Sequence, residues 1–226
     1  MAIMQKAGPS VLARSLSVVT LILIVRVALG VLFDYHHYFP PNFQSDFLRG
    51  REPYFWGLYQ WAFFVHVIAG PASLLLGTLL VSERLRKGAP AWHQRLGRIQ
   101  GICVLVLVAP SGLYMARYAA TGGVAAAGLG SLAIVTAACV ALGWRAAVQR
   151  RIADHRRWML RTFILLCSAV VIRIIGGLAS VLEFDAAWVY PASCWMSWLL
   201  PLLVFEFWQV VGQRPPVFSP PLPKVG

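Results

Sequence analysis

Charge is scarce in this chain. Asp, Glu, Lys and Arg make up 12% of its 226 residues, against roughly 25% in soluble domains. With 59% hydrophobic residues and a mean hydropathy of +0.69, a soluble core could not absorb the apolar surface, so a soluble globular domain is excluded. No P-loop, dinucleotide-binding glycine fingerprint or HExxH zinc motif occurs, which leaves nucleotide and zinc-protease chemistry without a carrier. The four cysteines, Cys103, Cys139, Cys167 and Cys194, lack metal-ligand spacing and read as small apolar packing residues. The first apolar run has no small-residue cleavage site after it, so it is expected to stay as a first membrane span.

Long apolar runs are what the chain has. They lie at about residues 16–33, 57–82, 96–117, 128–147, 158–181 and 192–212, each long enough for a membrane helix of about 20 residues. The expected fold is all-α: a polytopic bundle of six transmembrane helices forming a single integral membrane domain over 1–226. The stretch 213–226 is a proline-rich cytoplasmic tail. Segment 34–56 holds Pro40-Pro41 and mixed polarity and reads as the longest outer loop.

The basic residues sort by loop. Lys6, Arg14, Arg84, Arg86, Lys87, Arg95, Arg98, Arg145, Arg150, Arg151, Arg156, Arg157, Arg161, Arg214 and Lys224 fall on one side. Arg49, Arg51 and Arg117 fall on the other, with Asp34, Asp46, Glu52, Glu183 and Asp185. The positive-inside rule then puts both termini in the cytoplasm. The net charge of +12 follows from that topology and from contact with anionic lipids on the cytoplasmic face, and calls for no nucleic-acid partner. Tyr54, Phe55, Trp56, Tyr59 and Trp61, and again Trp188, Tyr190, Trp195 and Trp198, are expected as aromatic belts at the outer headgroups.

Ionisable groups inside or at the edge of a span are costly and mark function by default. His66 lies inside span two, about 13 Å from the outer surface at 1.5 Å per residue. His93 and His155 each open a span on the cytoplasmic side. His93, Gly97 and Gly101 share a helix face, which leaves space for a flat group or a close helix; Gly70 and Gly77 follow His66 in the same way. Two histidines on different helices at similar depth can supply the two axial imidazoles of a haem b. The plain alternatives are glycine-mediated helix packing and basic residues reaching for headgroups. A second haem at His66 would need His36 or His37 from the outer loop.

Arg26, Arg173 and Glu206 also sit within spans. Arg26 and Glu206 match best in depth and are expected to pair. Alternatively the arginines serve haem propionates or an anionic substrate, and Glu206 or His66 a proton path.

The ordered motifs FVHVIAGPASLLLG, WHQRLGRIQG, SGLYMARYAATGG, DHRRWMLRTFILLCSAVVIRI and LLPLLVFEFW resemble bacterial membrane proteins of domain-of-unknown-function family 2306. The likeness covers about residues 60–208. It implies a bacterial inner-membrane protein of six or seven spans and no established activity. More loosely, the run from His66 to His93 is similar to ascorbate-dependent transmembrane b-type cytochromes, whose histidines on four successive helices hold two haems. That likeness implies His66, His93 and His155 in three of the four places. Span four, GSLAIVTAACVALGW, has no histidine, so one pair is incomplete and His93 with His155 is the pair left.

Three functions compete. The first is a one-haem cytochrome passing electrons between a quinol or cytoplasmic reductant and a redox partner. In it His93 and His155 are axial ligands to the metal, Gly97 and Gly101 make room, and Arg95, Arg98 and Arg157 meet the propionates. The second is a proton-coupled transporter built on Arg26, His66, Arg173 and Glu206. The third is a non-catalytic membrane subunit.

Overall fold

The computed structural model describes residues 11–45, 47–184 and 186–212. Lys6, Asp46, Asp185, Arg214, Lys224 and the proline-rich tail lie outside them. Six helices among the described residues are long and apolar enough to cross a membrane. They are α1 (Val11–Asp34), α2 (Leu58–Val81), α3 (Pro90–Ala116), α4 (Gly123–Val148), α5 (Ile152–Val181) and α6 (Val189–Gly212). Successive helices run antiparallel, through the long segment 35–57 between α1 and α2 and through shorter links after it. One end of the bundle therefore carries the basic loops and the other the aromatic clusters.

Burial is inverted relative to a soluble protein. Leu79, Val106, Ile134 and Leu203 lie exposed, facing where lipid would be, while Ser73, Gln100, Thr136, Thr162 and Ser197 are buried between helices. Without water to drive apolar association, small and weakly polar side chains give the closest helix contacts. Backbone polarity is satisfied within each helix, as hydrocarbon demands. The threonine hydroxyls comply by donating one turn back, Thr136 to Leu132 O at 2.7 Å and Thr162 to Trp158 O at 3.1 Å.

Two helices start earlier than the hydropathy runs indicate. α3 begins at Pro90 and α5 at Ile152, each six residues before the expected start. Polar residues such as His93, Gln94 and Arg95 lower the mean hydropathy of the first two turns, yet those turns are helical. Proline is well placed in α3's first turn, where its missing N–H has no intrahelical partner to lose. His93 and His155 therefore do not open their helices; each is the fourth residue of one.

α3 is interrupted by a π-helical segment, Cys103–Val108. Pro110 follows it, and a proline ring inside a helix removes an N–H and crowds the carbonyl four residues back. Ser111 Oγ donates to Leu107 O at 2.5 Å, taking up one carbonyl that the irregularity disturbs. α5 is broken at Cys167, which caps one helical segment before Ser168 begins the next.

The outer loop folds onto the bundle. Tyr38 and Leu48 from the loop join Phe55, Tyr59 and Phe63 in a buried cluster. Phe47 stacks on Phe63 with ring centroids 5.6 Å apart, and Arg51 lies 4.5 Å over the Phe47 ring. The belt expectation thus needs correcting for Phe55 and Tyr59, which point inward; Trp56 and Trp61 are exposed. Trp188, just before α6, is exposed, and Trp198 on α6 is buried. Trp195 donates its indole N–H to Val124 O at 3.0 Å, in space that Gly128 leaves open.

Candidate functional site

At the basic end, the ends of α2, α3, α4 and α5 line an open cavity of about 930 Å³. Its inner walls are apolar: Leu80, Val140, Trp144, Met159, Phe163 and Leu166. His93 and His155 both line it, from α3 and α5, and lie close enough to interact electrostatically. Arg86, Arg98, Arg150 and Arg156 also line it. The result is an apolar chamber with a basic rim and two imidazoles.

His155 is oriented by backbone. Its Nδ1 donates to Gly143 O at 2.9 Å, which leaves Nε2 as the ring's lone-pair nitrogen. Gly143 permits this. A Cβ there would lie 2.8 Å from Met159 Sδ and 3.2 Å from Trp158 Cβ, so only glycine lets α4 approach α5 this closely. Such a carbonyl-anchored imidazole is the usual outer-shell arrangement of a metal-bound histidine.

Two buried polar atoms of residues on this cavity's wall have no hydrogen-bond partner among the described residues: His93 Nδ1 and Gln100 Oε1. Gln100 is 1% exposed and its amide Nε2 is already committed to Ser73 O at 2.8 Å. Buried polar atoms are rarely left unbonded in native proteins. Neither atom is reached from the cavity itself, so both lie within its packed wall.

The two glycines after His93 differ. A Cβ on Gly97 would meet nothing within 4 Å, whereas one on Gly101 would stand 2.7 Å from the Trp144 ring. Gly97 therefore opens onto the cavity as expected. Gly101 does not present open space; its room is filled by the Trp144 indole.

At the rim, the short helix Glu83–Gly88 between α2 and α3 supplies Glu83, the one carboxylate among the described residues joined to the rim arginines. It pairs with Arg86 at 3.0 Å, Lys87 at 3.0 Å and Arg156 at 3.9 Å. The hydrogen bond from Lys87, with its charge and that of Arg86, holds the Glu83 carboxyl below the usual carboxylate range. Arg98 and Arg150 have no ion pair or hydrogen bond to a side chain among the described residues. Of the arginines expected near the histidines, only Arg98 lines the cavity; Arg95 packs over the Trp92 ring at 5.7 Å, and Arg157 is not part of the wall.

The other expected site residues are elsewhere. His66 is eleven residues before Gly77, the first residue of α2 to reach the cavity, or about 16 Å along the helix. Its Nδ1 lies 3.1 Å from Ser111 Oγ and 3.2 Å from Val108 O. Gly112 makes the space, since a Cβ there would be 2.9 Å from His66 Cε1. His66 thus tethers α2 to the irregular part of α3. Arg173 lies in the half of α5 away from the basic end and donates to Ala169 O on its own helix at 2.9 Å.

The expected pairing of Arg26 with Glu206 is wrong. Arg26 is exposed on α1 and forms no ion pair among the described residues. Glu206 instead receives a bidentate pair from Arg161, at 2.5 and 2.8 Å. Arg161 also lies 4.6 Å over the Trp158 ring. Depth matching considers one coordinate, but pairing also needs facing helices. α5 packs on α6, and Glu206 lies in the half of α6 toward the basic end.

Sequence reasoning missed Arg161 as a partner, and also Gly143, Gln100 and Arg150. Gln100 carried a usable signal, because it lies seven residues after His93 on the same helix face.

Among the described residues no group of three or more His, Cys, Asp or Glu side chains comes together to hold a metal ion. Two imidazoles suit a metal that brings its other ligands with it, as the iron of a haem does.

No curated protein and no solved structure matches the chain, so the likeness to b-type cytochromes is not shown. A family model does match, over residues 63–209. That span takes in every residue of α3, α4 and α5 and all of the cavity wall. With well over half of its length covered, the chain belongs to DUF2306, a family of predicted membrane proteins.

Proposed function

We propose that this multi-pass membrane protein holds one haem b in the basic-end cavity and takes part in membrane electron transfer. The observation that carries the reading is the convergence of His93 and His155, each the fourth residue of its helix, on one apolar cavity with an arginine rim. The volume of about 930 Å³ lies in the range of sites for large organic ligands.

The residues fit the group. His155 would ligate through Nε2, because its Nδ1 is held by Gly143 O. His93, on the same cavity wall, would supply the second imidazole. Gly97 leaves room beside His93. Haem, when bound, supplies reversible one-electron chemistry. The chain contributes imidazole ligands, an apolar wall that disfavours extra charge, and basic side chains at the rim, the levers by which proteins tune such a centre. By the positive-inside rule this end faces the cytoplasm, where a reductant would reach it; a quinol in the bilayer is the other donor class.

The transporter reading has less support, because its four residues do not form one site. Glu206 is taken by Arg161, Arg26 is exposed, and His66 and Arg173 lie in the other half of the bundle.

The test is expression with haem supply, purification in detergent, and quantitation of haem per chain with oxidised and dithionite-reduced spectra. One haem per chain with sharp reduced bands of a six-coordinate b-type centre is expected. A colourless protein despite adequate supply would end the proposal.

A further inference from the structure

The turn between α4 and α5 holds Arg150 in a left-handed conformation, with φ of 59°. Arg150 N donates to Ala147 O at 3.0 Å and Arg151 N to Ala146 O at 2.9 Å, the helix-ending pattern in which glycine ordinarily occupies the left-handed position. A side chain there is strained, because its Cβ crowds the following carbonyl. Arg150 lines the cavity. Residues kept in such conformations cluster at ligand sites.

Charge on the rim is unevenly spent. Glu83 takes up Arg86 and Arg156, while Arg98 and Arg150 have no acidic partner among the described residues. Two free guanidiniums remain beside an apolar chamber. Guanidinium is the side chain best suited to a carboxylate, through paired N–H donors.

We infer that Arg98 and Arg150 form a two-point anion site selecting an amphiphile with an apolar body and two carboxylates. Arg150 is a specificity-determining residue that stands where the backbone favours glycine. The inference rests on the reading that the cavity holds a porphyrin, and it names the arginines that would meet the two propionates.

The experiment uses metal-free protoporphyrin IX and its dimethyl ester, which lack iron and so report the arginines apart from histidine ligation. Binding is followed by fluorescence for the full-length wild type, Arg150→Gly, Arg150→Lys and Arg98→Gln in detergent, with thermal melts of each ligand-free protein. The wild type is expected to prefer the diacid over the diester. Arg150→Gly should lose about tenfold in diacid affinity, or 1.4 kcal/mol, with the diester unchanged, while Arg150→Lys retains most of the preference. Ligand-free Arg150→Gly should melt about 2–4 °C higher, because the turn is relieved. A wild type that binds neither porphyrin, or binds both alike, overturns the inference, as does Arg150→Gly with wild-type diacid affinity. Absence of iron–histidine bands with haem, while the diacid preference persists, would remove the haem reading and leave the anion site standing.

Discussion

At the scale of the residue, the informative groups are those whose partners are fixed and those left without one. Arg161 and Glu206 satisfy each other through two short hydrogen bonds and a flanking indole. Their side chains are 20% and 38% exposed, so this is a pair at the bundle's edge. Glu206→Gln should destabilise the folded protein by about 1–3 kcal/mol, the worth of hydrogen bonds to a charged group, without changing porphyrin binding. Unfolding in mixed detergent, with the reversed pair Arg161→Glu/Glu206→Arg as control, measures it. A loss of binding with unchanged stability would instead place Glu206 in the site. His93, His155 and Glu206 were legible as residues of interest because ionisable groups in apolar runs are conspicuous. Partner identity was not legible: helix rotation decides which side chains meet, and hydropathy carries no information about rotation between helices. Nor could sequence show that Arg150 stands where glycine is favoured, because a left-handed turn is revealed only by its hydrogen bonds.

At the scale of the element, glycine placement separates packing from cavity. Gly101→Ala drives a methyl to 2.7 Å from the Trp144 ring and should cost about 1–3 kcal/mol of stability, as overpacking does. Gly97→Ala meets nothing within 4 Å and should leave stability near wild type. Thermal melts of the two variants side by side check the contrast, and equal losses would mean that Gly97 is also packed. The short helix Glu83–Gly88 makes a second prediction. Its carboxyl is held below the usual range, so the contribution of the rim pairs is present above the ordinary carboxylate pKa and lost as pH falls through the lowered one. The rim should therefore keep its pairing from pH 8 down to about pH 5. Glu83→Gln would free Arg86 and Arg156 and strengthen diacid porphyrin binding by no more than about fivefold, the scale of an exposed pair. Titrating the variant at pH 7 reads this directly, and weakened binding would contradict it. Element boundaries were the poorly legible part of the fold. α3 and α5 begin six residues before their apolar runs because amphipathic first turns dilute hydropathy. That shift is what carries both histidines inside the helices.

At the scale of the whole molecule, the six-span bundle was readable because each apolar run has a length that the bilayer dictates. The cavity was not readable as such. It arises where four helix ends diverge at the basic end, a property of assembly. Orientation still rests on the distribution of arginine and lysine. Single cysteines placed in the folded loop at Ser45 and in the link at Lys87, on a background lacking the four native cysteines, should label from opposite sides of sealed vesicles. Ser45 is expected outside and Lys87 inside; the reverse pattern would turn the cavity outward and exclude a cytoplasmic donor.

The most direct measurement is the spin and ligation state of haem bound to His93→Ala and to His155→Ala, each with and without added imidazole. The account predicts that either substitution converts a low-spin six-coordinate centre into a five-coordinate one. Free imidazole entering the vacated space should restore the low-spin spectrum in both. A low-spin spectrum that survives either substitution unchanged would show that the histidines lining the cavity are not the ligands.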